Sequence, residues 1–441
     1  MRNVYLFFIL FVLYSTSFYS QNGFVLEENK EDKIRFELIN NLIVFPVEIN
    51  GVELSFLLDT GVSKPIIFNL VNFDESFQIK KTEKIFIRGL GDGETIEALK
   101  SKGNVFKIGN AVNLNQELYA IYNPALNFAP KLGVPIHGIV GYDFLKNFIV
   151  EVNYSKRFIK INDPKYYTFK NCKKCETFDL EFHNNKPYIN GLLELKGKTI
   201  PIKLLIDSGG SDALWLFEDM EQSIAIPYAN FDDFLGRGLS GSVYGKRSKV
   251  TSFSLGNYKL KNVNVAFPDS SSISYAKKYK SRNGSLAGEI LKRFNVIFDY
   301  PNKKIHLKKN RFFSNSFNYN KSGITIEHDG VRLVKELQTS FKRNDDDNAS
   351  RSSYRIIMSG SYEYILAPSY KIVELRPDSP AKSAGLLLGD VILYINGKHA
   401  HLYSLQEIMN LFYDETGKTI KLLIDRNGVQ LKYNFKLKSM F

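Results

Sequence analysis

The feature that most constrains this chain is a repeat of itself. Leu57-Leu58-Asp59-Thr60-Gly61 returns as Leu205-Ile206-Asp207-Ser208-Gly209, a shift of 148 residues. Arg88-Gly89-Leu90-Gly91 returns as Arg237-Gly238-Leu239-Ser240, and Phe106-Lys107-Ile108-Gly109-Asn110 as Phe253-Ser254-Leu255-Gly256-Asn257. Residues 138–161 match 284–307 without a gap, setting Phe148 against Phe294, Tyr154 against Tyr300 and Ile159 against Ile305. Several matches in one order at nearly one offset make a duplication, which sets the domain plan before any element is assigned.

Within each half, apolar and polar residues alternate in short runs, as at 43–49 and 203–206, broken by Gly, Asn and Asp. That is strand and turn chemistry, with one brief helical patch per half at 142–147 and 289–293. The sequence thus predicts two small, mostly β, barrel-like lobes, over 24–163 and 176–310. From about residue 321 the texture changes. A polar insertion over about 340–355 holds Asp345, Asp346 and Asp347 among Asn, Ser and Arg, which reads as a solvated loop and not a metal site. Beyond it come a strand at 371–375, a helix at 405–412 and two last strands, an α+β third domain over 320–441.

At 441 residues, 44% hydrophobic and 14% aromatic, the chain has apolar surface enough for two or three folded domains. Arg2, an apolar run over 4–14 and small polar residues up to Ser20 have the layout of a secretory signal peptide over 1–20, so a secreted or periplasmic protein is expected. A membrane anchor is the alternative, though the run is short for a span, and no later segment is apolar enough to be transmembrane. Cys172 and Cys175 are the two cysteines and suit a small structural disulfide loop, since a zinc site would need two more nearby ligands. The net charge of +13 is scattered and has no stacking aromatics beside it, so nucleic acid is not expected as a partner. The six histidines do not cluster, and neither His-Glu-x-x-His nor Gly-x-Ser-x-Gly occurs. No metal and no cofactor are expected. His137, just before Gly138, reads as a surface or core histidine.

An Asp at the end of an apolar strand is costly to bury ionised and needs donors around it. The Thr or Ser that follows can bond backbone across an interface, and the Gly after it permits close approach. Duplicated, the unit brings Asp59 and Asp207 together. Two carboxylates that close share one proton, so one can act as base on a water while the other donates to a substrate carbonyl.

With these residues the sequence resembles the aspartic proteases, in particular bilobal, retropepsin-like bacterial enzymes that carry a PDZ domain. The resemblance covers about 30–310 for the peptidase and 320–441 for the PDZ domain. It implies that Asp59 and Asp207 are catalytic, supported by Thr60, Gly61, Ser208 and Gly209. It also implies an apolar-apolar-Gly segment threading beside each catalytic loop. Ile139-Val140-Gly141 fits directly, and Leu286-Ala287-Gly288 fits with the glycine one place late, because the ungapped repeat sets Ala287 opposite Gly141. Flap hairpins are implied at 88–93 and 236–241, involving Gly89, Leu90 and Gly91, and Gly238, Leu239 and Ser240. In the third domain Ser379, Gly385, Gly389, Asp390, Asn396 and Gly397 match PDZ domains of exported proteases. Such domains take an extended peptide at a sheet edge, with a loop that captures a C-terminal carboxylate. Gly323, Ile324, Thr325 and Ile326 fall at that loop, where Thr325 replaces an apolar residue.

The resemblance implies an exported aspartic endopeptidase acting on peptide or protein substrates, its PDZ domain recruiting or gating them. With both Asp residues in one chain, a monomer suffices for the site. Two other readings stand beside it: an inactive peptide-binding protein of the same fold, and an adhesion or scaffold protein using its basic surface.

Overall fold

A computed structural model describes residues 23–26, 30–68, 78–123, 126–169, 172–343 and 356–441. The expected signal peptide and residues 344–355 of the polar insertion lie outside the described residues. The protein is mostly β. Its residues group into two compact units, one holding both duplicated lobes and the other running from 318 to the end with the short stretches 128–135 and 232–234.

In the first lobe the apolar runs form a nine-stranded sheet. Its hairpin Leu42–Ile49 and Val52–Leu58 buries Phe45, Val47, Phe56 and Leu58 on one side, as period-two alternation requires. The second lobe repeats this in an eight-stranded sheet around Lys186–Leu195 and Lys198–Asp207. The helical patches are single short turns, Tyr142–Leu145 and Gly288–Leu291.

A six-stranded antiparallel sheet joins the lobes, in the order Cys175–Asp179, Lys304–Lys309, Phe294–Asp299, Ile149–Asn153, Phe158–Asn162, Glu31–Arg35. At its centre Glu151 pairs with Ile297, its own counterpart in the ungapped repeat, so the local two-fold passes between them. One apolar core continues through both lobes and includes Phe56, Phe106, Phe253 and Phe298. A disulfide closes the Cys172 to Cys175 loop at the edge of this sheet.

The second unit has its own core around Ile324, Ile372, Ile395, Ile408 and Ile424. Its sheet runs Ile324–Arg343, Ile356–Leu375, Val391–Ile395, Thr419–Arg426, Val429–Lys436, with Lys398–His399 beside Val391–Ile395. The motif residues recognised in the sequence are structural here. Asp390, 1% exposed, accepts from Arg426 Nε and Nη2 at 2.7 Å each. Asn396 and Gly397, at φ of 51° and 86°, turn the chain between paired strands. Ser404 and Glu407 form a capping box on helix Leu405–Phe412. No described helix is long and apolar enough to cross a membrane.

Candidate active site

Each Asp is placed by a strand that ends on it. In the first lobe Val52–Leu58 runs parallel to Gly138–Val140, with Leu58 opposite Val140, and the Asp59 amide donates to the Val140 carbonyl at 2.9 Å. In the second, Lys198–Asp207 runs parallel to Gly284–Ala287 with Asp207 opposite Ala287.

The residues after each Asp lock the loops together. Thr60 Oγ1 donates to the Ile206 carbonyl and Ser208 Oγ to the Leu58 carbonyl, both at 2.7 Å. The amides of Thr60 and Ser208 each donate to the other's hydroxyl at 3.0 Å. Both side chains are buried, so these four bonds form in a low-dielectric interior where each counts for more. Beyond them Gly61 and Gly209 bring backbone against the carboxylates. A methyl added at Gly61 would lie 3.0 Å from Asp59 Oδ1 and 3.8 Å from Asp207 Oδ1, and one at Gly209 would lie 2.5 Å from Asp59 Oδ2. The two carboxylates therefore converge on one small region.

That crowding sets their charge. Asp59 is pushed up to about 7, first by burial and then by the negative charge of Asp207, against the Gly61 amide that donates to Oδ1 at 2.7 Å and the cation of Lys186. Asp207 is also raised by burial, but Arg282, Lys186 and the amides of Gly209 and Gly210 pull it back. The Tyr300 hydroxyl has no hydrogen-bond partner among the described residues. Burial first, and then the charge of Asp59, push its pKa well up. Between its two titrations a pair like this holds one proton, so it can offer a carboxylate and a carboxylic acid together.

The threaded segments are not identical. Gly141 lies where a methyl would come 2.0 Å from the Asp59 carbonyl oxygen and 3.0 Å from Val62 Cγ2. In the second lobe the strand register puts Ala287, and not Gly288, at this place. Gly288 corresponds to Tyr142: the Tyr142 amide donates to the Val62 carbonyl, and the Gly288 amide to the Gly210 carbonyl. The second lobe thus carries Gly210 where the first carries Val62. The methyl gained at Ala287 faces the side chain lost at Gly210.

The two glycine clusters are hairpin tips that meet. Thr82–Ile87 pairs with Ile96–Ile108, and Asn230–Gly238 neighbours Gly241–Leu255. Across the tips the Gly89 amide donates to Ser240 Oγ (3.0 Å), the Ser240 amide to the Leu90 carbonyl (3.0 Å) and the Gly93 amide to the Ser240 carbonyl (2.7 Å). Glycine is needed for the contact, because a methyl at Gly238 would sit 2.1 Å from the Leu90 carbonyl oxygen and one at Gly89 would sit 2.7 Å from Leu239 Cβ. Gly91 adds a φ of +129°. Beside the tips lies a cavity of about 510 Å³ lined by Glu94, Glu97, Tyr122, Arg237 and Leu239.

In the second unit, Gly323 at φ +81° turns the chain into the edge strand that starts at Ile324. Ile324 and Ile326 point into the core, and Thr325 is half-buried. The amides of Ser322 and Gly323 already donate to Asn320 Oδ1, and that of Ile324 donates to Ser322 Oγ. The loop expected to hold a carboxylate is thus bonded to itself.

Sequence reasoning missed Lys186, Arg282 and the Ala287/Gly210 exchange. The available signal was the set of positions where the repeat fails. His137 takes a structural place, its Nδ1 accepting the Ser55 amide at 3.0 Å. Among the described residues no group of three or more His, Cys, Asp or Glu is arranged to hold a metal ion.

Two family models match the chain. The aspartyl protease family model matches residues 45–144 and again 189–286, one copy per Asp. The PDZ domain model matches residues 371–426. A search of the curated proteins returns no match.

Proposed function

Because the chain is a bilobal, retropepsin-like member of the aspartyl protease family with a C-terminal PDZ domain, we propose that it is an exported aspartic endopeptidase whose PDZ domain presents peptide to the protease lobes. The observation that carries this reading is the convergence of Asp59 and Asp207 on one region, joined by four buried Thr60 and Ser208 bonds. One carboxylate takes a proton from water as the water oxygen bonds to the peptide carbonyl carbon. The protonated carboxyl gives its proton to the carbonyl oxygen, forming a tetrahedral diol. Collapse of the diol breaks the C–N bond, a proton passes to the leaving nitrogen, and a free acid and amine result with no covalent enzyme intermediate.

The joined tips at Gly89 and Ser240 must part to admit a peptide and close again over it, which shields the carboxylate pair and its one attacking water from bulk solvent. A peptide added as one more strand along the edge from Ile324 must compete with helix Ala129–Leu132, which packs against that strand with Lys131 Nζ 3.5 Å from Glu327 Oε1. Export rests on the layout of residues 1–20 and agrees with the Cys172–Cys175 disulfide.

The test is digestion of a peptide library by the chain from residue 21 onward, between pH 3 and 8, read by mass spectrometry. Internal cleavage that disappears in both Asp59→Asn and Asp207→Asn is expected. Peptide binding without cleavage at any pH would instead mark a binding protein of the same fold.

A further inference from the structure

The lobes differ where their side chains face the two carboxylates: the first supplies apolar groups and the second supplies cations. In the first lobe the hairpin turn pairs Ile39 with Leu42, and in the second it pairs His183 with Lys186, so Lys186 occupies the place of Leu42. The ladder between its strand and that of Asp207 includes Tyr188 opposite Leu205. Two steps further along, Lys186 stands across from Asp207, as Leu42 stands across from Asp59 beyond the pair Val44 and Leu57.

The second difference precedes the threaded strands. Gly138 lies opposite Phe56 and Gly284 opposite Leu204, which aligns Arg282 with Ile136, an apolar residue with no exposure. Arg282 is 8% exposed. Its Nε donates to the Gly284 carbonyl at 3.0 Å and its Nη2 to Ser285 Oγ at 2.8 Å, running the guanidinium along the strand that ends opposite Asp207. Placing a guanidinium there has a desolvation cost that a facing negative charge offsets.

We propose that Lys186 and Arg282 are positioning residues that make the carboxylate pair one-sided: they hold the negative charge on Asp207, so that Asp59 carries the shared proton. This rests on the endopeptidase reading for its consequence, in which Asp207 takes the proton from water and Asp59 gives its own to the carbonyl oxygen. The titration directions agree. Arg282 acts on Asp207, and Lys186 acts on both carboxylates. The other titratable groups facing this cluster among the described residues are the Tyr300 hydroxyl beside Asp59 and the Tyr188 hydroxyl beside Arg282.

The experiment is a carbon-13 carboxyl titration of aspartate-labelled protein, followed by NMR, with Asp59→Asn and Asp207→Asn giving the assignments. Lys186 is half-buried and methionine keeps the length of its apolar stem, so Lys186→Met is expected to fold, and a thermal melt checks that it does. In the parent chain Asp207 is expected to ionise first. Lys186→Met should raise its midpoint by on the order of one pH unit and move the acid limb of kcat/KM by the same amount, while Lys186→Arg restores both. An unchanged Asp207 midpoint in folded Lys186→Met, or Asp59 ionising first, overturns the proposal. Because the carboxyl signals need no turnover, a chain that cleaves nothing but shows these shifts would end the endopeptidase reading and leave the charge assignment standing.

Discussion

The amides of Thr60 and Ser208 each donate to the other's hydroxyl at 3.0 Å, across the two-fold that relates the lobes. Each hydroxyl then donates to a carbonyl just before the opposite Asp. Thr60→Val keeps the shape and leaves the buried Ser208 amide and Ile206 carbonyl unpaired. A loss of about 1–3 kcal/mol is expected in denaturant unfolding. Thr60→Ser should retain most of the stability, and a Val variant as stable as the parent would mean that the bonds do not hold the loops.

The charge on the pair sets a pH dependence of both stability and rate. Asp59 is raised from an ordinary 3.8 to about 7, so the folded chain keeps a proton that the unfolded chain releases. Its contribution is fully favourable below about pH 4 and is lost as pH rises through about 7. Activity should fall over the same upper range as the proton on Asp59 is lost. Asp59→Asn removes the charge that burial opposes. At pH 8 it should therefore melt higher than the parent, by roughly 2–6 °C, while at pH 3.5 the difference narrows. Differential scanning calorimetry at the two pH values decides it.

Much of this was legible in the sequence because it is written locally. Asp-Thr/Ser-Gly, the glycine tips and the PDZ turn residues are short motifs, and the repeat located the first two twice. The cations were not legible, because a search for a repeat rewards sameness and Lys186 and Arg282 are departures from it. Their places also drift in register: Leu42 and Lys186 lie 144 residues apart, against 148 for Asp59 and Asp207. Loss of the second-lobe glycine likewise looked like a defect along one strand. Only the loop beside it, with Gly210 for Val62, reveals the exchange of bulk.

That exchange makes the two lobes respond differently to the same change. Gly141→Ala would set a methyl 2.0 Å from the Asp59 carbonyl oxygen, a backbone atom that cannot swing aside. A loss of about 2–4 kcal/mol and of most activity is expected. Ala287→Gly removes a methyl where its neighbour is already glycine and should cost about 1 kcal/mol. Equal losses in thermal melts of the two variants would overturn the account.

Closure of the hairpin tips depends on glycine at 238, since any β-carbon there would meet the Leu90 carbonyl oxygen at 2.1 Å. Gly238→Val should keep the lobes folded and the carboxylate pair intact while opposing the closed state. The expected result is a KM raised by roughly 10-fold or more with a smaller change in melting temperature. A KM unchanged in this variant would mean that the tips need not meet during turnover.

The PDZ loop leads to the last expectation. A free C-terminal carboxylate is recognised through amide groups that point at it unpaired, and each such amide contributes a charge-assisted bond. Here the amides of Ser322, Gly323 and Ile324 are taken by Asn320 Oδ1 and Ser322 Oγ. Binding must then come from strand addition along the edge that begins at Ile324, which reads backbone and is blind to a chain end. Peptides with free and amidated C-termini should therefore bind the full chain within about 3-fold of each other, measured by fluorescence anisotropy on Asp59→Asn to prevent turnover. Asn320→Ala frees two of the amides and should shift preference toward the free acid. A parent chain that already prefers the free acid by 10-fold would show that the loop opens on binding and that its internal bonds are no barrier.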